Sequence, residues 1–290
     1  MQVAESSWVI ISTLEKGPVK CVHMARDALR TLSLGRCGTF PVSALANAKF
    51  NVPLLWENGV LSECALPAVP QDKNGRKNAI KRSRTITVTQ PTLPGLVEMY
   101  NLKGTVHISH EAISQILFHA IGAKRVIVKD DHNSIVLAAV AAARGTHNLF
   151  RIGGHVQNIH TLCALGESGS VEKYVASPSP LEENASLKGA SEKEGGALFV
   201  LAQRDRYEPC EVISLLKECS FQTADFLVYH PVKEALLDLF NALMQDKAFG
   251  LLDLRELFYR EYQTVSGAMH PRMTKTRHSG YILTGTLLGN

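Results

Sequence analysis

Apolar and polar positions follow two different periods along this chain. In the first 60 or so residues the apolar runs are short and rich in Val and Ile, as in Trp8–Ser12 and Val19–Met24. Gly17-Pro18 stands between them as a turn, and Gly35, Gly38 and Pro41 punctuate the next stretch. This spacing predicts a small β-barrel or β-sandwich, and a small N-terminal β-barrel is the expectation. From Tyr100 onward the period lengthens. Ser109 is placed to cap a helix whose apolar face would be Ile113, Ile116, Leu117, Ala120 and Ile121, with Gly122 ending it. Arg125–Val128 reads as a strand, Ile135–Arg144 as a helix closed by Gly145, Leu149–Ile152 as a strand and Val156–Leu165 as a helix. This β-α-β-α alternation predicts an α/β fold with a parallel sheet and helices on its faces.

Residues 166–196 break the pattern with Ser, Gly, Glu and Pro and few bulky apolar residues, the composition of a flexible surface insertion. The alternation then resumes with a strand at Ala197–Ala202, a helix at Pro209–Cys219 and a strand at Asp225–Tyr229. A helix comes next at Lys233–Met244, with Leu236, Leu237, Phe240, Leu243 and Met244 inward, and Phe249–Leu254 and Tyr281–Leu287 read as closing strands around a long charged loop. Two domains are expected, 1–94 and 95–290, joined through the basic stretch Leu66–Arg84.

Composition adds little to the class but changes the electrostatic picture. The chain has 290 residues, 45% hydrophobic and 20% charged, a globular balance. Its longest apolar runs, such as Ile135–Ala143, are far short of a bilayer span, and MQVAESSWVI lacks a secretory signal's basic start and apolar run. The six cysteines form no CxxC pair, which fits reduced thiols in a nuclear or cytosolic protein and argues against zinc. Net charge is +4, unevenly spread: residues 1–94 hold 12 Lys and Arg against 6 Asp and Glu, and the remainder holds 19 against 21. The N-terminal third is the electropositive part.

The chemistry-bearing positions are informative mainly for what they lack. A doubly wound sheet binds nucleotide-like cofactors at the carboxyl ends of its strands, usually over a Gly-rich turn that lets backbone approach ligand. Here RVIV runs into Lys129-Asp130-Asp131-His132-Asn133-Ser134 with no glycine, so side chains occupy that space. Asp130 and Asp131 read there as solvated loop carboxylates. The strand ALFVLA is followed by Gln203-Arg204-Asp205-Arg206, without the acidic-proline pair that many amino-methylating enzymes place there. His107 and His110 lack a third ligand, Gly153-Gly154 lacks a GxGxxG frame, and no P-loop or GxSxG is present. Two basic regions remain. Lys73, Arg76, Lys77, Lys81, Arg82 and Arg84 have the charge to follow a phosphate backbone. Near the C-terminus Arg255, Arg260, Arg272, Lys275 and Arg277 interleave with Tyr259, Tyr262 and His270, a mixture suited to RNA, whose unpaired bases stack on rings and guanidinium planes.

Several blocks, in this order, resemble one family. They are Thr31–Gly35 and Gly38–Pro41; the segment from Gly95 to Gly145; FLVYHPVKEALLDLF from Phe226 to Phe240; and Arg260-Glu261-Tyr262-Gln263, His270-Pro271 and Gly280–Gly285. Together they resemble the non-catalytic subunit of eukaryotic tRNA (adenine-58-N1)-methyltransferase. The resemblance implies an N-terminal β-barrel and a degenerate Rossmann-like methyltransferase domain without a cofactor site of its own. It implies a catalytic partner of similar fold that binds S-adenosylmethionine, a nuclear heterotetramer of two plus two, and a share in gripping tRNA. Carried onto this sequence, tRNA contact falls to Arg260, Tyr262, His270, Arg272, Lys275 and Arg277, and to Lys81, Arg82 and Arg84. Three departures stand out. Ala268 occupies a position where the family often has Arg, Thr276–Ser279 replace a glycine run, and the Lys-rich segment between domains is short. Two rival readings are a self-sufficient S-adenosylmethionine-dependent RNA methyltransferase and a translation-initiation component.

Overall fold

The computed structural model describes residues 2–4, 7–13, 17–57, 60–65, 84–102, 108–132, 134–145, 147–152, 196–204, 207–218, 223–259, 262–265, 268–271 and 277–288. The chain divides into two units, Met1–Gly104 and Thr105–Asn290, so the division falls beyond the composition shift at residue 94. In the first unit, Trp8–Thr13 (β1) pairs antiparallel with Gly17–His23 (β2). Thr31–Ser33 (β3) and Thr39–Pro41 (β4) form a separate two-stranded ladder. Pro53–Glu57 (β5), Val60–Glu63 (β6) and Thr85–Thr89 (β7) complete a sheet of order β2-β1-β7-β5-β6. The period-2 pattern explains one face of it: Val9, Ile11, Val22, Leu54, Ile86 and Val88 are all buried in one cluster with Phe40 and Leu45. The helix Leu93–Leu102 (α1) packs on the other face, where a Cβ at Gly95 would stand 3.0 Å from Ile10 Cδ1.

Two expectations for this unit are corrected. The sheet is open, not a closed barrel: β2 and β6 are its ends, and no ladder joins them among the described residues. Closure would need those edges to meet, whereas β7 returns to the centre of the sheet and α1 lies against β2. Gly17-Pro18 is not the turn. Both residues lie within β2, opposite Thr13 and Ser12, where the register slips and an edge strand tolerates proline.

The second unit opens with His110–Gly122 (α2), capped as its sequence predicts: Ser109 Oγ accepts from Ala112 N–H. Arg125–Asp130 (β8), Ile135–Arg144 (α3), Leu149–Arg151 (β9) and Ala197–Ala202 (β10) succeed it. Then come Pro209–Glu218 (α4), Thr223–His230 (β11), Lys233–Met244 (α5) and Phe249–Tyr259 (β12). Tyr262–Val265 (β13), Ala268–Pro271 (β14) and Arg277–Leu288 (β15) end the fold. The main sheet runs β12-β15-β11-β10-β8-β9, with β8 to β11 parallel to one another and β15 antiparallel between β11 and β12. All six residues of β10 are buried, as a central strand covered on both faces requires.

Here too some expectations shift. Ile121 and Met244, expected inward, are 60% and 64% exposed; each lies in the last turn of its helix, where Ala120 and Leu243 are the residues that face inward. Leu239 is the buried residue of α5 that the helical face omitted. The segment expected as a charged loop contains strands: β12 continues to Tyr259, β15 starts at Arg277, and β13 and β14 form a ribbon. The expected helix Val156–Leu165 and the expected insertion 166–196, except Gly196, lie outside the described residues. No helix among the described residues is long and apolar enough to cross a membrane.

Candidate functional site

In an open α/β sheet the ligand crevice lies beyond the carboxyl ends of the strands, where strand order reverses. Here β8 has β9 on one side and β10 on the other, so the reversal lies between β8 and β10. The two chains leaving these strands do not part. Asp131 N–H donates to Ala202 O at 2.9 Å, one step past the last ladder pair, Asp130 with Ala202. His132, wholly buried, then lays its ring across the gap, with Nε2 3.1 Å from Gln203 O. A carbonyl only accepts, so Nε2 carries the proton.

Neighbouring strands add to this layer. The His132 ring lies 5.5 Å from that of Tyr229, at the end of β11, and Gln203 N–H donates to Tyr229 O at 3.0 Å. Tyr229 is 1% exposed, and burial holds its phenol well above the usual range. Its ring leaves no room at Gly280: a Cβ there would stand 2.6 Å from Tyr229 Cε2, and Gly280 has φ +86°. Ser279, also buried, accepts through its carbonyl from Ser109 Oγ at 3.3 Å. His132 after β8, Gln203 after β10 and Tyr229 of β11 thus pack together at the carboxyl edge of the sheet. Gln203 Oε1 is buried in this layer and has no hydrogen-bond partner among the described residues.

Asp130 is a helix cap rather than a free loop carboxylate. One carboxylate oxygen accepts from His132 N–H at 2.7 Å, and the other from Val136 and Leu137 N–H at 2.7 and 2.9 Å. It takes up the first amides of α3, the donors an anionic ligand would use at a helix start. Burial pushes it up to about 6 from its ordinary 3.8, against the pull of those three amides. Ser134, entering the same helix, has φ +62°, a left-handed conformation that glycine adopts freely and serine does not. Among the described residues no group of side chains could hold a metal ion. A cleft of about 470 Å³ lies at the opposite end, by the amino ends of β8, β10 and β11, with His119, Lys124, Leu251 and Thr286 on its walls. Its Asp225 carboxylate already accepts from Thr286 Oγ1 at 2.7 Å.

Of the residues expected to touch tRNA, Tyr262 is 54% exposed and opens β13. The ribbon pairs it with Pro271 and pairs Gln263 with His270, so positions 262 and 270 fall on opposite faces one register step apart. Arg277 opens β15 opposite Tyr259, and Arg84 is exposed just before β7. Arg260, Arg272, Lys275, Lys81 and Arg82 lie outside the described residues, as do His107, Asp205 and Gly153-Gly154. His110 is the first residue of α2. Sequence reading placed His132 in the glycine-free turn and Gln203 after its strand, but missed Tyr229 and Gly280. The signal available was Tyr229-His230-Pro231 at a strand end and the lone glycine of RHSGY.

No family model matches the chain. A curated relative, the tRNA (adenine(58)-N(1))-methyltransferase non-catalytic subunit TRM6 of Eremothecium gossypii, is 28% identical over 155 residues. That is 46% of this chain and 33% of the relative, so the match takes in a third of the relative's length. Two solved structures share the fold over the whole chain. A SAM-dependent O-methyltransferase from Thermotoga maritima superposes with a TM-score of 0.61 at 14% identity, covering 100% of this chain and 96% of that one. The tRNA (m1A58) methyltransferase TrmI of Aquifex aeolicus gives 0.53 at 13% identity, with full coverage of both chains. The fold is that of the Rossmann-like methyltransferases.

Proposed function

We propose that this chain acts in tRNA methylation as a non-catalytic, tRNA-binding subunit. It would support a catalytic, S-adenosylmethionine-binding partner that methylates N1 of a T-loop adenine, in an assembly of two plus two. The similarity to TRM6 and the fold shared with TrmI point to the reaction. The observation that carries the division of labour is the closed switch point. The Asp131–Ala202 hydrogen bond ties the chains that leave β8 and β10, and the buried His132 ring lies across them, which supports the reading that S-adenosylmethionine is held by the partner and not here. In this reading the chain contributes surface, shape and charge, and no group of its own touches the reacting atoms.

The rival is a self-sufficient methyltransferase, favoured by the fact that both structural neighbours are named as methyltransferases. Calorimetry of the isolated chain with S-adenosylmethionine separates the two. No heat of binding is expected at millimolar ligand, and micromolar affinity would refute the non-catalytic reading.

A further inference from the structure

The N-terminal unit carries a basic and aromatic cluster that shares no residue with the packed sheet edge or with the C-terminal ribbon. Trp8 and His23 face each other across the β1–β2 ladder, ring centres 5.1 Å apart and nearly perpendicular. The chain then turns through 24–30, and the Arg26 guanidinium carbon comes to lie 4.9 Å from the Trp8 ring centre. Asp27 sets this turn. Its carboxylate, 6% exposed, accepts from His23 N–H at 2.9 Å and pairs with Arg26 at 3.5 Å and Arg30 at 3.3 Å. Arg26 N–H donates in turn to His23 Nδ1 at 3.1 Å. Burial alone would raise the Asp27 carboxyl, but the His23 amide and the two arginines hold it below its usual value, so it stays an anion and orders both cations.

Fixing two long cationic side chains costs conformational entropy, and Asp27 meets that cost within the fold. Yet the arginine side chains remain 40% and 70% exposed, and Leu29 beside them is fully exposed. Two guanidinium groups tied to one carboxylate, the first of them 4.9 Å from an indole centre, present a cationic and aromatic surface flanked by a second charge. That shape fits a planar base on the Arg26 plane with a backbone phosphate on Arg30. A duplex hides its base faces, so the fitting ligand is unpaired.

We propose that Trp8, His23, Arg26 and Arg30 form a binding site for an unpaired stretch of RNA, one base stacking on the Arg26–Trp8 platform. This rests on the proposed RNA-binding role but uses none of the residues that the family resemblance assigns to tRNA.

The chain has two tryptophans, so Trp56→Phe in the full-length protein leaves Trp8 as its sole indole. Titration of that variant with a ten-nucleotide oligouridylate should quench the emission saturably, with an affinity that falls as salt rises. Arg26→Gln with Arg30→Gln should weaken this binding about tenfold, the scale of one lost base stack. It should also lower the slope of log affinity against log salt by about 0.7, the contribution of the one phosphate contact to a single strand assigned to Arg30. Whole tRNA is measured on the same variants by filter binding. Emission that stays constant while the oligonucleotide binds, or a double variant that holds both RNAs as tightly as its parent, overturns the site and leaves the tRNA reading standing. A parent chain that holds neither RNA overturns both.

Discussion

Substituting Gly280 by alanine probes the packed layer at the carboxyl edge through a single methyl. The new carbon would stand 2.6 Å from Tyr229 Cε2, 2.7 Å from its hydroxyl and 2.9 Å from Cζ. Relaxed carbon contacts begin near 3.5 Å, so the ring must retreat by about 1 Å. It has little room to move: Tyr229 is 1% exposed, and the buried His132 ring lies 5.5 Å from it. Overpacking of this kind costs about 1–3 kcal/mol. Holding an L-residue at φ +86° adds about 1–2 kcal/mol. Alanine's smaller unfolded-state entropy returns about 0.4–1 kcal/mol. The net expectation is a loss of about 3 kcal/mol, or roughly 6–12 °C in Tm for a unit of this size. Native-state hydrogen exchange of the β11 and β15 amides reads the loss in the second unit alone. Gly122→Ala is the control, because nothing lies within 4 Å of its added carbon at the end of a helix, and it should be neutral or slightly stabilising. A Gly280→Ala loss below about 1 kcal/mol would refute this packing.

Two further predictions concern the start of α3. Asp130 titrates near 6 in the folded chain and near 3.8 when unfolded, so the folded state binds the extra proton between those values. Stability therefore falls as pH rises from about 4 to 6, by at most about 3 kcal/mol from this group. Asp130→Asn removes that slope at the cost of a constant offset from one lost amide contact; stability curves of variant and parent that stay parallel across pH 4–7 would contradict it. Ser134→Gly relieves the left-handed backbone and removes no side-chain cap bond, so denaturant melts should show a change between zero and a gain of about 1 kcal/mol, and a loss above about 1 kcal/mol would count against strain at this residue.

Local chemistry made the helices legible in the sequence. Ser109, Gly145 and the run Lys233–Met244 mark true helix ends because a cap or glycine acts on its nearest turn. β10 was legible because a strand buried on both faces is apolar throughout. What the sequence hid was set by distant partners. Whether β2 and β6 meet depends on where β7 inserts and what covers β2, and neither is written in their own residues. The ribbon Tyr262–Val265 with Ala268–Pro271 is short and polar enough to pass for loop. At the candidate site the missing glycines were visible in Lys129–Ser134. That His132 folds inward onto Tyr229 and Gln203, and does not reach into solvent, needed β8, β10 and β11 side by side.

In the proposed role this chain serves methylation without performing it. Methyl transfer from labelled S-adenosylmethionine to the T-loop adenine of tRNA tests that role, with this chain alone, the proposed catalytic partner alone, and the two mixed. Activity is expected in the mixture and not in this chain alone. Methyl transfer by this chain alone would contradict the account, and would place a working cofactor pocket where His132 and Tyr229 now meet or elsewhere on the fold.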